Sequence, residues 1–151
     1  MNTSLNISNN IILKKTDKMN EFLLCFLNEK SIMNNLESDL PKEDIQTILL
    51  NIGIPSNLLG YHYVIYAMDL ILSDESYLHS ITKMLYVDIA VKFKTTASRV
   101  ERAIRNAISV GWTNGNLEYI NHLFYNSVNP LKGTPTNSQL LSRIYFYMTN
   151  H

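Results

Sequence analysis

Turned through about 100° per residue, as in an α-helix, residues 97–112 sort cleanly onto two faces. Ala97, Val100, Ala103, Ile104, Ala107, Ile108 and Gly111 gather on one. Ser98, Arg99, Glu101, Arg102, Arg105, Asn106 and Ser109 gather on the other, with Trp112 at the edge. The apolar face is built of small residues, and its three alanines invite a neighbouring helix to approach closely. Just upstream, Leu85, Ile89, Ala90 and Phe93 give one apolar face to a shorter helix over about 85–93. Lys94-Thr95-Thr96 then makes a tight connection whose threonine caps the longer helix. A short helix, a brief turn and a longer helix with an Arg-rich outer face form the helix-turn-helix pattern. The turn lacks the glycine common there.

The same reading applied elsewhere predicts helices throughout and no strand. Met19, Phe22, Leu23, Phe26 and Leu27, then Met33 and Leu36, keep helical spacing after a loose Asn- and Ser-rich start. Glu37-Ser38-Asp39-Leu40-Pro41 breaks that pattern. The expected division is therefore an N-terminal extension over 1–40, with one amphipathic helix, and a main domain over 41–151. In the main domain helices are expected over about 41–51, ending at Gly53, then 61–73, 76–82, 85–93, 97–112 and 117–127. A last one runs to about Met148, capped by Thr136 or Asn137. Gly115 is expected as a left-handed cap after the 97–112 helix. The fold class is all-α, a multi-helix domain of about six helices containing a helix-turn-helix, with an N-terminal helical extension.

Composition agrees, since only 5 Gly and 4 Pro in 151 residues argue against a turn-rich β sandwich. Charge complicates the picture. The 13 Lys and Arg balance 13 Asp and Glu, whereas nucleic-acid binders are usually basic. The local balance differs: residues 92–105 hold Lys92, Lys94, Arg99, Arg102 and Arg105 against one acid, Glu101. Cys25 is the only cysteine, so no internal disulfide can form, and a reducing cytoplasm is expected. The run Phe22 to Leu27 is too short for a signal core or a membrane span, so no membrane contact is expected.

The Arg-rich face suits double-stranded DNA. A guanidinium fork matches the two acceptors of guanine in the major groove, and a carboxylate can accept from the cytosine amino group. Arg102 and Arg105 would then neutralise phosphates and set the register. Two other readings of the same face stay open. It could be a solvated helix surface on which Glu101 pairs with Arg105 at i,i+4 spacing, or a surface for an acidic protein partner. No catalytic set is visible: there is no H-E-x-x-H, phosphate loop or G-x-S-x-G. His62, His79, His122 and His151 do not pair at metal spacing. No enzyme activity, metal or cofactor is expected.

Several segments together closely resemble the C-terminal effector domain of the master sporulation response regulators of endospore-forming Firmicutes. They are Ser80-Ile81-Thr82-Lys83-Met84-Leu85-Tyr86, Asp88-Ile89-Ala90, Phe93 and the run from Thr95 to Arg105. Ile52-Gly53-Ile54-Pro55, Gly60-Tyr61, Trp112, Gly115-Asn116 and Pro135-Thr136-Asn137-Ser138 extend the likeness over roughly 45–148. The resemblance implies a six-helix-type domain that binds a TGTCGAA-like promoter box, often in tandem, and regulates transcription. It implies Arg99 and Glu101 as base-reading residues. Arg102 and Arg105 fall at or near the DNA backbone, where Lys94, Thr96, Ser98 and Lys132 are also expected. It further implies contact with RNA polymerase sigma factor through about 112–124.

This sequence departs from that family in places. The family usually carries a phosphorylated receiver domain, which forty residues cannot hold, so control by phosphorylation is expected to be absent. Thr134 and Asn114 stand where basic residues are common, and Leu59, Ile65 and Val91 where charged ones are. Fewer phosphate contacts would weaken binding and flatten its salt dependence. The alternative expectation is a protein-interaction module that antagonises the full-length regulator or sigma factor. The Met19 to Leu27 stripe could fold back on the domain or pair with a second copy as a homodimer.

Overall fold

The computed structural model describes residues 20–21, 23–25, 27, 43–124 and 133–150. The chain divides into two units, Met1–Pro41 and Lys42–His151. In the first, the described residues are helical and expose Leu23, Leu24 and Leu27. The expected break at 37–41 lies outside the described residues, as does the rest of that amphipathic helix.

The second unit is all-α. Helix α1 spans Ile45–Ile52. It starts later than expected, since Glu43 and Asp44 precede the helix, while Pro41 itself lies outside the described residues. The observed cap is Asp44, whose carboxylate accepts from the Thr47 N–H at 2.7 Å. That bond to the backbone holds the Asp44 carboxyl below its usual range. The helix ends, as expected, at Gly53 with φ 93°. Helix α2 spans Leu59–Ser73, two residues longer at its start than the apolar pattern indicated. The two short helices expected over 76–82 and 85–93 resolve differently. A 3₁₀ turn runs over Glu75–His79 and a π turn over Ile81–Leu85. The π turn feeds directly into α3, Tyr86–Lys92.

Helix α4 spans Ala97–Asn114, α5 spans Leu117–Phe124 and α6 spans Asn137–Thr149. Residues 125–132 lie outside the described residues, and with them the end expected for α5. Asn116 starts α5 by accepting from the Glu118 and Tyr119 N–H groups at 3.0 and 3.1 Å. Thr136 starts α6 in a reciprocal box with Gln139, which satisfies two otherwise orphaned donors.

Helices α2 and α4 form the centre of the unit, with α3 packed on α4 and α6 against both. Their shared core includes Val64, Ala67, Met68, Ile89, Ile104 and Ile108, all essentially shielded from water. Each of the larger side chains among them contributes roughly 1.5–3 kcal/mol by burial, and the Ala67 methyl less. The small-residue face of α4 serves the close approach expected of it. A Cβ on Gly60 of α2 would lie 2.2 Å from the Ala103 carbonyl oxygen and 2.7 Å from the Ala107 Cβ. Only a residue without a side chain fits there.

Gly115 does not adopt the left-handed conformation expected of it. Its φ of −79° and ψ of 169° are extended. Glycine is needed there for space, because a Cβ would meet the Ile52 carbonyl oxygen at 1.8 Å. The end of α4 is thus pressed against the end of α1.

Candidate nucleic-acid interface

The turn between α3 and α4 is built without glycine. Lys94 takes the left-handed conformation at φ 53°. The Lys94 N–H donates to the Val91 carbonyl at 3.4 Å, and the Thr95 N–H to the Ala90 carbonyl at 2.9 Å. These are the paired closing bonds of a Schellman turn, with lysine in the usual glycine position. Thr96 then caps α4, its hydroxyl oxygen accepting from the Arg99 N–H at 3.3 Å. In the first two turns of α4, Ser98, Arg99, Arg102 and Arg105 are exposed while Val100 and Ile104 are buried.

The two faces of α4 fall as the periodicity indicates. Val100, Ile104, Ala107, Ile108 and Gly111 are buried, while Ala97 and Ala103 are half-buried. Ser98, Arg99, Arg102, Arg105, Asn106 and Ser109 are exposed. Among the described residues no ion pair involves Arg99 or Arg102. Lys94 is exposed as well, and the Lys92 ammonium lies 5.7 Å from the centre of the Tyr66 ring. Lys132 lies outside the described residues.

Glu101 differs from its neighbours. Its carboxylate accepts from an Arg105 guanidinium nitrogen at 2.5 Å, one helical turn further on. The Glu101 side chain is 34% exposed and that of Arg105 64%. The Glu101 backbone is held too, since its carbonyl accepts from the Asn137 amide at 3.0 Å. The same amide nitrogen donates to the Tyr86 hydroxyl at 3.0 Å. Burial pushes the Tyr86 phenol above its usual range, against the opposing effect of that amide bond. Asn137 is itself buried, so the start of α6 is pinned to the first turns of α4 by a satisfied polar contact.

Beside this contact lies a cleft of about 920 Å³, lined by Lys83, Tyr86, Glu101, Arg105, Thr136 and Asn137 among others. The sequence assigns Glu101 and Arg105 a place at DNA, whereas Tyr86 and Asn137 enter only through the resemblance, with no site role. Asn137 carried a weak signal as a polar residue directly after the Thr136 cap. Nothing local indicated that it reaches α4.

The remaining residues singled out by resemblance also come together. Ile52, Gly53 and Ile54 pack at the end of α4 against Gly111 and Gly115. Trp112 stacks edge-on against Phe124 at 5.3 Å. Among the described residues no group of His, Cys, Asp and Glu could hold a metal. No helix there is long and apolar enough to cross a membrane.

The family model for the sporulation initiation factor Spo0A C terminal matches residues 45–148. The match runs from the first turn of α1 to the last turn of α6 and includes the whole helix-turn-helix. That family is one of DNA-binding transcription factor domains rather than of enzymes. An all-α unit with an Arg-bearing helix after a tight turn and a match of this extent together place the chain in the Spo0A C-terminal family, with a sporulation-type DNA-binding effector domain.

Proposed function

We propose that this protein is a sequence-specific transcription regulator that binds a TGTCGAA-like promoter box through α4, without phosphorylation of a receiver. The observation that carries the reading is the outward face of α4. Arg99 and Arg102 stand exposed one turn apart, clear of any ion pair among the described residues. Arg99 in the major groove would read guanine with its planar fork, and Glu101 would accept from cytosine. Arg102, Lys94, Ser98 and the Thr96 hydroxyl would set the register on phosphates, with Lys132 from the 125–132 segment. Arg105 is already engaged with Glu101. Exposure of Arg99 and Arg102 in the Lys42–His151 unit supports a reading in which no phosphorylation step uncovers them. Tandem boxes would bring two copies side by side, and the exposed residues of 112–124, such as Leu117, would face sigma factor.

Fluorescence anisotropy with the box and a scrambled duplex, repeated across salt concentrations, tests this reading. The box should bind more tightly at every salt concentration. Arg99→Ala should cost about 1–3 kcal/mol and relax the preference at one base pair. Equal affinity for both duplexes would remove the sequence-specific reading.

A second reading, in which the protein antagonises the full-length regulator or sigma factor, draws on exposed apolar side chains of α2 and α3. Val91 is 74% exposed and Leu59 65%. Co-elution with either partner, together with no shift of duplex DNA, would favour it.

A further inference from the structure

We infer that Arg105 is a positioning residue for Glu101, setting base specificity through that carboxylate rather than by gripping a phosphate. The inference rests on the proposed base-reading role of Glu101.

A carboxylate on a DNA-facing helix meets a field of phosphates that repels it. Left alone, it would turn away from the groove, and it would lose rotamer freedom if forced to stay. The structure counters both effects. One Glu101 oxygen is held by the Arg105 guanidinium at 2.5 Å, which cancels its charge and fixes its direction. The other oxygen keeps its lone pairs for a cytosine amino donor. The backbone beneath is fixed as well, because buried Asn137 holds the Glu101 carbonyl and also contacts Tyr86. The acceptor is therefore oriented at its base and at its tip before DNA arrives.

Arg102 makes the comparison. It is exposed on the same helix and has no ion pair among the described residues. Its charge remains available to a phosphate, while that of Arg105 is neutralised within the protein. As an exposed pair in water the bridge is weak. Exclusion of water at a DNA interface would strengthen it.

The two roles separate experimentally. The full chain and its Glu101→Ala, Arg105→Met, Arg105→Lys and Arg102→Met variants are titrated with the TGTCGAA duplex. Each is also titrated with duplexes in which each base pair is replaced in turn, at several salt concentrations. Thermal melts confirm that the exposed substitutions leave the fold intact. Glu101→Ala, which removes the acceptor, should erase the preference at one C·G pair. Arg105→Met should reduce the preference at that same pair by roughly tenfold, and Arg105→Lys should retain most of it. The double variant of Glu101→Ala with Arg105→Met should be no worse there than Glu101→Ala alone. Arg105→Met should barely change the slope of log affinity against log salt, whereas Arg102→Met should lower it by about 0.9.

If Arg105→Met weakens every duplex equally and lowers the slope as Arg102→Met does, Arg105 is a phosphate contact and the inference is overturned. No effect of Arg105→Met overturns it too. If Glu101→Ala itself leaves every preference intact, the underlying reading of Glu101 fails, and the inference with it.

Discussion

At Lys94 a backbone requirement and a charge compete for one position. The residue closes the turn in a conformation that costs an L-residue about 1–2 kcal/mol relative to glycine. It also places an ammonium at the mouth of the helix-turn-helix. Lys94→Gly should therefore raise the unfolding free energy by about 0.5–1 kcal/mol, after the extra freedom that glycine gives the unfolded chain is counted. The same substitution should weaken DNA binding. Urea melts and anisotropy titrations on one preparation would show the two effects moving in opposite directions. The sequence showed that a turn lay between Phe93 and Thr96 and that glycine was missing from it. It did not show that lysine itself takes the strained position, because several backbone paths connect two helices in three residues.

Among the helices, close approach governs what can change. Alanine normally stabilises a helix relative to glycine by about 1 kcal/mol. At Gly60 that gain is outweighed, since the new methyl would press on the Ala103 carbonyl oxygen and the Ala107 methyl. Gly60→Ala should lose about 2 kcal/mol or more as α2 and α4 are forced apart. An unchanged denaturation midpoint would show that the two helices do not touch there. The small residues of α4 made this contact legible in advance, but its partner was not, because nothing in the local pattern pairs Gly60 with Ala103. Gly115 teaches the complementary lesson. A glycine just past a helix suggests a left-handed cap, yet here it answers to the carbonyl of Ile52, far away in sequence. The faces of α4 and the caps at Thr96 and Thr136 were readable because they depend on neighbours within one turn. The 3₁₀ and π turns were not, since their hydrogen bonds follow tertiary packing rather than apolar spacing.

Across the whole Lys42–His151 unit, one carboxylate gathers three distant segments. Glu43, just before α1, accepts from the Tyr119 hydroxyl at 3.0 Å, the Tyr147 hydroxyl at 2.9 Å and the Asn51 amide at 2.7 Å. Asn51 lies on the helix that follows, but Tyr119 and Tyr147 stand 76 and 104 residues away, which no reading of spacing could join. Burial pushes the Tyr119 phenol far above its usual range, and the bond to Glu43 adds to this. The folded state therefore favours the protonated phenol. Its contribution is fully present below the unfolded value of about 10 and declines as pH rises beyond it. Melting temperature should fall above that pH, and Tyr119→Phe should flatten the fall while lowering stability at neutral pH. Equal alkaline slopes in the two proteins would show that Tyr119 does not carry the effect.

The buried amide at the start of the last helix has a consequence for how this motif can be handled as a part. Residues 81–115 look like a transferable cassette, self-contained and suited to grafting or to expression as a peptide. They are not self-sufficient, because the backbone of the second helix is steadied by Asn137, beyond the far end of the cassette. A shortened chain that keeps both helices of the motif but omits 133–150 would keep Arg99, Arg102 and Arg105 and lose the anchor beneath Glu101. Discrimination between promoters would then depend on whether the final helix has docked, which couples completion of the fold to the first moment the protein can tell one sequence from another.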